Sequence, residues 1–331
     1  MKTWLSFILL FLTLSLGAQS NKLVTVHKAM ELMGSRFDIT VVASSEDVGL
    51  INIDEAAAEI ERVEALISSW NPDSETSFIN QNAGIKPVKV SQELFSLIER
   101  AVQVSQLTEG AFDITYASLD NIWKFDGTMK EMPSPDLVKN SISNVGYQHI
   151  LLDARQQTVF LAKKGMRISF GAIGKGYAAD KAKELLVSKQ VVGGIINAAG
   201  DLTTWGTKAN GEKWLIGIAN PLSAERIFSW LPVVESSVAT SGNYEKHFVH
   251  EGVKYSHIID PRSGYPTSGV NSVTVFAKTA EMSDALATAI YILGKDEGLE
   301  LISQLGGIEV VLIDSENRVY QSSGILLEKT P

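Results

Sequence analysis

The 331-residue sequence contains no cysteine. Disulfide staples, thiolate nucleophiles and sulfur-ligated zinc are therefore excluded together. Histidine is scarce, with five in all. Two of them, His247 and His250, sit three apart in a predicted strand, where side-chain alternation sends them to opposite faces and makes a poor zinc pair. Positive charge is also in deficit: 29 Lys and Arg stand against 38 Asp and Glu, a formal net charge of -9. With no basic run to set against phosphates, nucleic acid is not an expected partner. Nine prolines and 26 glycines are too few for a collagen-like chain, and 45% hydrophobic residues are too many for a disordered one. Beyond residue 20 no apolar stretch approaches membrane-spanning length. What remains is a globular chain, long enough for one large domain or two ordinary ones, with a core that needs no staple.

Residues 1–20, MKTWLSFILLFLTLSLGAQS, carry Lys2, an apolar stretch from Trp4 to Leu16, and then small and polar residues. That is the layout of a secretory signal peptide, shorter than the roughly 20 apolar residues of a spanning helix. Ser15-Leu16-Gly17 and Ala18-Gln19-Ser20 both offer a cleavage window. No cysteine follows, which excludes a lipidated lipoprotein. The expectation is an exported protein, periplasmic or extracytoplasmic, soluble or loosely membrane-associated, with residues 21–331 as its mature part.

Hydrophobic periodicity predicts two strands within Lys22 to Val42, turning at Met33-Gly34-Ser35. Helices are expected at Ile53 to Ser69, stopped by Asn71-Pro72-Asp73, at Gln92 to Gln106 behind an Ser91 cap, and at Asp136 to Ser143. From Ile150 the texture changes to short alternating segments, 150–152, 158–161, 167–170, 195–197, 214–218, 256–259 and 273–276. Helices at Lys175 to Ser188 and Ser283 to Leu293 interrupt them. Turn signals such as Asn210-Gly211 and Glu251-Gly252 favour hairpins over crossovers. The consequence is an α+β fold with mixed or antiparallel sheets and packed helices, in which the change near residue 150 marks two candidate subdomains, 21–149 and 150–331.

Four segments could carry chemistry. In Ser169-Phe-Gly-Ala-Ile-Gly-Lys-Gly-Tyr-Ala-Ala-Asp180 a strand end runs into a glycine-rich turn and a helix, gathering backbone N–H groups in a way that suits phosphate. It is not a Walker A loop, because Ser169 and Gly176 stand where Gly and Ser or Thr are required. Gly174-x-Gly176-x-x-Ala179 with Asp201 matches a dinucleotide fingerprint, but the residues after Asp201 read as hairpins rather than a βαβ unit. Close helix packing at a tight turn is the alternative. In Glu281 to Ala289, Asp284 and Thr288 are four apart on one helix face, an oxygen-only pair that suits Mg²⁺ completed by substrate phosphates and water. Spacing alone equally allows Asp284 to cap its helix and Thr288 to bond back to a carbonyl. His257 opens a strand that breaks into a Pro/Gly loop, where scaffolds display functional groups, although a lone histidine is also a common structural residue. Trp70 to Asn80 and Glu109 to Asp113 each set an aromatic ring beside carboxylates, able to stack on a planar ring system or simply to pack a core.

Taken in order, Met33-Gly34-Ser35, Ser68-Ser-Trp-Asn-Pro-Asp-Ser74, Gly110-Ala-Phe-Asp113, Gly171-Ala-Ile-Gly-Lys-Gly-Tyr-Ala-Ala-Asp180, Asn197-Ala-Ala-Gly-Asp201, Thr240-Ser-Gly-Asn-Tyr244, Tyr255-Ser-His-Ile-Ile-Asp-Pro261 and Ser283-Asp-Ala-Leu-Ala-Thr288 span nearly the whole mature chain. Together they resemble the ApbE family of FAD:protein FMN transferases. The resemblance implies that FAD binds with Mg²⁺ at its pyrophosphate, that a partner protein's threonine hydroxyl attacks the FMN-side phosphorus, and that AMP departs. By motif position it makes Asp284, Thr288 and the Ala172 carbonyl metal ligands. Met33, Trp70, Ala111, Phe112, Asp113, Ser169, Lys175, His257 and Ile258 fall where the family contacts FAD. His257 is the candidate general base, its ordinary pKa of about 6.5 suiting the task. Two positions depart from the pattern: Ser169 replaces a usual Asp, and Ala199 a usual Gly, which would strain a turn with φ > 0.

The implied partner is an acceptor protein, often a membrane-associated redox subunit, carrying threonine in a short Asp/Ser-x-x-Ser/Gly/Ala-Ala/Ser-Thr motif. This chain lacks the motif itself; Ala239-Thr240 and Ala287-Thr288 come nearest, with Val238 and Leu286 out of pattern. It is expected to be the donor-side enzyme. The competing readings are a FAD pyrophosphatase releasing FMN and AMP, a non-enzymatic flavin-binding protein, and a nicotinamide dehydrogenase.

Overall fold

Strands β1 (Val24–Leu32) and β2 (Ser35–Ala43) form the hairpin expected from the alternating pattern, with Leu32 opposite Ser35 across the Met33-Gly34 turn. The turn residues have φ of 52° and 66°, which matches the twist of the strands it joins. Phe37, Ile39 and Val41 on β2 are wholly buried. The computed structural model describes residues 22–129, 131–220, 223–243 and 247–325. The predicted leader, residues 1–20, lies outside them.

Helix α1 (Glu46–Ile67) follows, capped by the Ser45 hydroxyl, which accepts from the Val48 N–H. It starts earlier than the apolar spacing indicates, because that cap and the acidic Glu46 and Asp47 satisfy a first turn that buries little. After α2 (Glu75–Gln81) come β3 (Val88–Lys89) and α3 (Gln92–Leu107), the latter opened by Ser91 as predicted. Helix α4 (Pro135–Ser141) precedes β4 (Ile150–Asp153) and β5 (Thr158–Leu161), which pair with β3 in a small sheet of order β3-β5-β4.

The predicted strand at 167–170 does not form. The Asn80 side chain clamps Ile168, donating to its carbonyl at 3.0 Å and accepting from its N–H at 2.8 Å, while the Arg167 N–H donates to Ser118 Oγ. Side chains have taken the hydrogen bonds a sheet would use. Likewise the strand expected at 256–259 is interrupted: β12 ends at Ser256, His257 lies in a bend, and Ile259 makes only an isolated bridge with Pro266.

Helix α5 (Gly174–Ser188) leads to β6 (Gly194–Ala198), β7 (Asp201–Trp205), the β8 (Trp214–Asn220) and β9 (Ser223–Val233) hairpin, β10 (Ser237–Gly242), and the β11 (His247–His250) and β12 (Val253–Ser256) hairpin. Then come β13 (Val270–Ala277), α6 (Ala280–Ser303), β14 (Glu309–Asp314) and β15 (Val319–Gln321). The main sheet has order β1-β2-β6-β7-β10-β13-β14-β15, with every neighbouring pair antiparallel. One sheet thus draws strands from both sides of residue 150. Helices α1, α5 and α6 pack side by side against it. The main core gathers Phe37, Ile60, Ala178, Ile196, Val273 and Leu312 among others, and a smaller cluster of Ile216, Val238, Phe276 and Val311 forms a second core. Among the described residues no helix is long and apolar enough to cross a membrane.

Helix α6 changes direction at Gly294, whose φ of 77° and ψ of -167° interrupt the helical path. The turns before Gly294 carry Asp284 and Thr288, and they lie against β10 and β13. That contact brings the C-terminal candidate residues to the middle of the sheet.

Candidate active site

A cavity of about 1070 Å³ opens where the start of α5, the end of β10, the first half of α6 and the turn after β12 converge. Of the FAD- and metal-binding positions that the resemblance implies, Trp70, Ala111, Phe112, Asp113, Ala172, Lys175, His257, Ile258, Asp284 and Thr288 line it. Two do not. Met33 sits in the β1–β2 turn, where its N–H donates to Glu64 Oε2 at 3.1 Å, and it packs against the core. Ser169 meets the Ser69 hydroxyl at 3.2 Å and the Tyr116 hydroxyl.

Helix α5 begins without a side-chain cap of its own. Instead the Gly176 N–H donates to Asp284 Oδ2 at 3.3 Å, so a carboxylate from α6 answers the positive end of α5. Asp284 does not cap its own helix. That role belongs to Thr279, whose hydroxyl accepts from the Met282 N–H. Thr288, one turn further, places its hydroxyl 3.3 Å from that of Ser241 on β10. Carboxylate and hydroxyl therefore face the same space, with Thr240 and Ser241 beside them.

Asp201, first residue of β7, is nearly buried and is paired with Lys175. Burial raises its pKa, and the Lys175 ammonium pulls it back. Asp284 is pushed up to about 8, first by burial and then by the Asp201 charge, with Lys175 and the Gly176 N–H opposing. Without a cation Asp284 therefore holds its proton at neutral pH, and its ionisation beside Asp201 and the single Lys175 ammonium would leave a net negative charge that a bound cation would offset. Among the described residues no group of three or more His, Cys, Asp or Glu could hold a metal. Thiolate- or imidazole-rich metals are therefore a poor match, whereas Mg²⁺ needs only one or two protein oxygens when substrate phosphates and water complete its shell. Asp284 and Thr288 offer oxygens of that kind, and Ala172 lines the same cavity.

The same lining carries aromatic side chains. Trp70 stands 93% exposed on a turn in which Ser68 Oγ accepts from the Trp70 and Asn71 N–H groups. An indole so displayed is available to a planar ligand. Phe112, Tyr116, Trp123 and Phe125 line the same cavity, and the His257 ring meets Phe125 edge-on, with centroids 6.5 Å apart. Asp113 is committed to structure: it accepts from Thr115 N–H at 2.8 Å, Thr115 Oγ1 at 2.7 Å and Tyr147 N–H at 2.7 Å. Those bonds counter the upward pull of burial on its pKa.

The dinucleotide fingerprint has no βαβ unit to act in. α5 runs between β5 and β6, which lie in different sheets, and Asp201 is engaged with Lys175. Ala199 adopts φ of 54° in the two-residue β6–β7 turn, the strained conformation that its departure from glycine foreshadows. Sequence reasoning overlooked Tyr116, Arg36, Arg167, Ser241, Trp123 and Phe125, all of which line the cavity. Ser241 lies inside one of the matched segments and was therefore within reach; the others carry no spacing signal, since folding alone brings them there.

The ApbE family model matches residues 33–312. A FAD:protein FMN transferase from Treponema pallidum is 31% identical over 83% of this chain and 80% of its own length. Another from Klebsiella pneumoniae is 32% identical over 85% and 90%. Among solved structures, the ApbE protein from Thermotoga maritima superposes with a TM-score of 0.80 at 30% identity, covering 90% of this chain and 97% of that one. The flavin transferase ApbE from Vibrio cholerae gives 0.78 at 26% identity, covering 91% and 98%.

Proposed function

This chain belongs to the ApbE family, and on that premise we propose that it is an FAD:protein FMN transferase that acts with Mg²⁺ on a threonine of a partner protein. The observation that carries the reading is the meeting, in one cavity, of several aromatic side chains with a buried carboxylate and a hydroxyl beside the start of α5. A flavin dinucleotide combines a planar ring system with a diphosphate, which those two sets of groups suit.

In this reading Trp70 and Phe112 offer apolar faces to a ring system, and the α5 terminus with Lys175 faces the diphosphate. Asp284, Thr288 and the Ala172 carbonyl would hold Mg²⁺, whose charge would offset that of the diphosphate and polarise the phosphoryl oxygens. The acceptor hydroxyl oxygen forms a bond to the FMN-side phosphorus as the bond to the AMP oxygen breaks, and AMP leaves with the electron pair. His257, exposed at the cavity wall, takes the proton from the incoming hydroxyl. Positioning and electrostatics supply most of the acceleration. In this reading the acceptor is a membrane-associated redox subunit with a short threonine motif, and the leader-like character of residues 1–20 supports a meeting outside the cytoplasm.

The test is incubation of the purified protein with FAD, Mg²⁺ and an acceptor domain, followed by mass spectrometry of the acceptor. Covalent FMN on a threonine, lost on chelation of the metal and in Asp284→Ala, is the expected result. AMP release at the same rate with or without acceptor would instead identify a pyrophosphatase, and FAD binding without turnover a carrier.

A further inference from the structure

The segment that displays His257 is held on both sides by an aromatic cluster that none of the assignments above uses. Trp123, Val138 and Phe248 form a small buried core apart from the main one, with Phe125, Tyr255 and Ile259 packed against it. Before His257, the Tyr255 ring on β12 stacks on Phe248 of β11, with centroids 5.2 Å apart and planes 14° from parallel. Phe248 stacks in turn on Trp123 at 6.0 Å. After His257, the Trp123 indole N–H donates to the Gly264 carbonyl at 2.9 Å, and the Tyr265 ring leans on Trp123 at 5.9 Å.

The loop that follows His257 is closed on itself as well. The Asp260 N–H donates to the Tyr265 carbonyl, the Gly264 N–H donates to the Asp260 carbonyl, and Ile259 bridges to Pro266. Gly264 lies so near α4 that a Cβ would come within 2.7 Å of the Ile142 side chain and 3.1 Å of that of Val138. Trp123 and Phe125, on either side of the exposed Lys124, both turn toward Phe248, Phe125 at 5.8 Å. Phe125 then meets the His257 ring itself, with centroids 6.5 Å apart and planes at 80°, an edge-on aromatic contact.

We propose that Phe125 is a positioning residue: its ring, braced on Phe248, sets the plane of the His257 imidazole within the cavity. The inference rests on the reading of His257 as the base of an FMN transfer. The terminal torsion of a histidine side chain is broad, so neighbours rather than rotamer preference decide where its nitrogens point. A phenyl ring supplies that constraint without hydrogen-bonding to either nitrogen. The same aromatic unit fixes the chain before and after His257, so backbone and imidazole are located together. A misplaced base costs rate while leaving substrate binding intact.

Phe125→Leu keeps an apolar side chain and removes the ring, whereas Phe125→Tyr keeps the ring. With FAD, Mg²⁺ and acceptor, Phe125→Leu should lower kcat about tenfold and leave KM for FAD within about twofold, and Phe125→Tyr should stay within about twofold of wild type in both. Phe125→Met, which keeps more bulk, carries the same expectation as the leucine variant should that one not fold. In a His257→Ala background, Phe125→Leu should cost nothing further, because the two act as one unit. Carbon-13 relaxation of the labelled His257 ring should show wider ring motion in Phe125→Leu and wild-type motion in Phe125→Tyr. A loss of the same size without His257, a raised KM in place of a lowered kcat, or unchanged ring motion overturns the proposal. If the wild-type protein neither transfers nor hydrolyses, the functional reading fails, and the relaxation measurement still decides whether Phe125 orients His257.

Discussion

Lys175 in the first turn of α5 is paired with Asp201 at the start of β7, although the two are 26 residues apart and belong to a helix and a strand that face each other across the cavity floor. The pair binds α5 to the β6–β7 hairpin next to Asp284. Replacing Lys175 with Met would leave a nearly buried carboxylate without its ammonium. The expected cost is about 3–5 kcal/mol in urea unfolding at neutral pH. The cost should shrink in acid, where Asp201 is neutral; an equal loss at both pH values would contradict this account.

Asp284 gives the metal-free protein a defined pH dependence. Its native pKa is pushed up to about 8, whereas the unfolded chain releases that proton near pH 3.9. Between these values the native state holds the extra proton, so stability is full below about pH 4 and is lost as pH rises through about 8. Burial raises Asp201 and Asp180 as well, Asp180 to about 6, and both act in the same sense. Urea midpoints with a chelator present should fall from about pH 5 to about pH 9. Asp284→Asn should flatten the alkaline part of that fall, and added Mg²⁺ should stabilise more at the alkaline end, where its ligand is ionised.

Gly176 is a point of close approach between α5 and α6. A Cβ there would lie 2.2 Å from the Ala280 carbonyl oxygen and 2.5 Å from its carbon, backbone atoms that cannot turn aside. Asp180, one turn along α5, receives the Ala280 and Glu281 N–H groups and locks the same junction. Gly176→Ala should therefore force the helices apart, cost about 1–3 kcal/mol, and reduce turnover further by moving Asp284. Wild-type activity and melting temperature in this variant would refute the packing argument.

Ala199 offers the opposite case, a position where glycine should help. Its φ of 54° is disfavoured for a side chain bearing Cβ, and the turn it forms with Gly200 is the shortest that can join β6 to β7. Ala199→Gly is expected to stabilise by about 1 kcal/mol. Thermal melting checks it, and a lower melting temperature would show that the turn is not strained.

Much of the fold was legible because it depends on local pattern. The β1–β2 hairpin follows from alternation around Met33-Gly34, and α3 follows from Ser91 and the apolar residues behind it. The strand expected at 167–170 failed because its hydrogen bonds go to Asn80 and Ser118, distant residues that no periodicity announces. Within the site, Asp284 and Thr288 were legible as a pair through helical spacing. Their choice of partners was not: whether Asp284 caps α6 or faces Gly176 depends on how α5 and α6 meet.

The sequence by itself determined the α+β class, the elements that end at functional turns, and which oxygen and aromatic groups were available, because propensity, capping and motif order are properties of neighbouring residues. Only the tertiary structure decided that Asp201 neutralises Lys175, that Met33 and Ser169 stay outside the cavity lining, and that the Tyr291 hydroxyl donates to the Val270 carbonyl. Those relationships are set by sheet order and helix packing, which bring residues far apart in the chain within hydrogen-bonding distance and are not encoded in any local spacing.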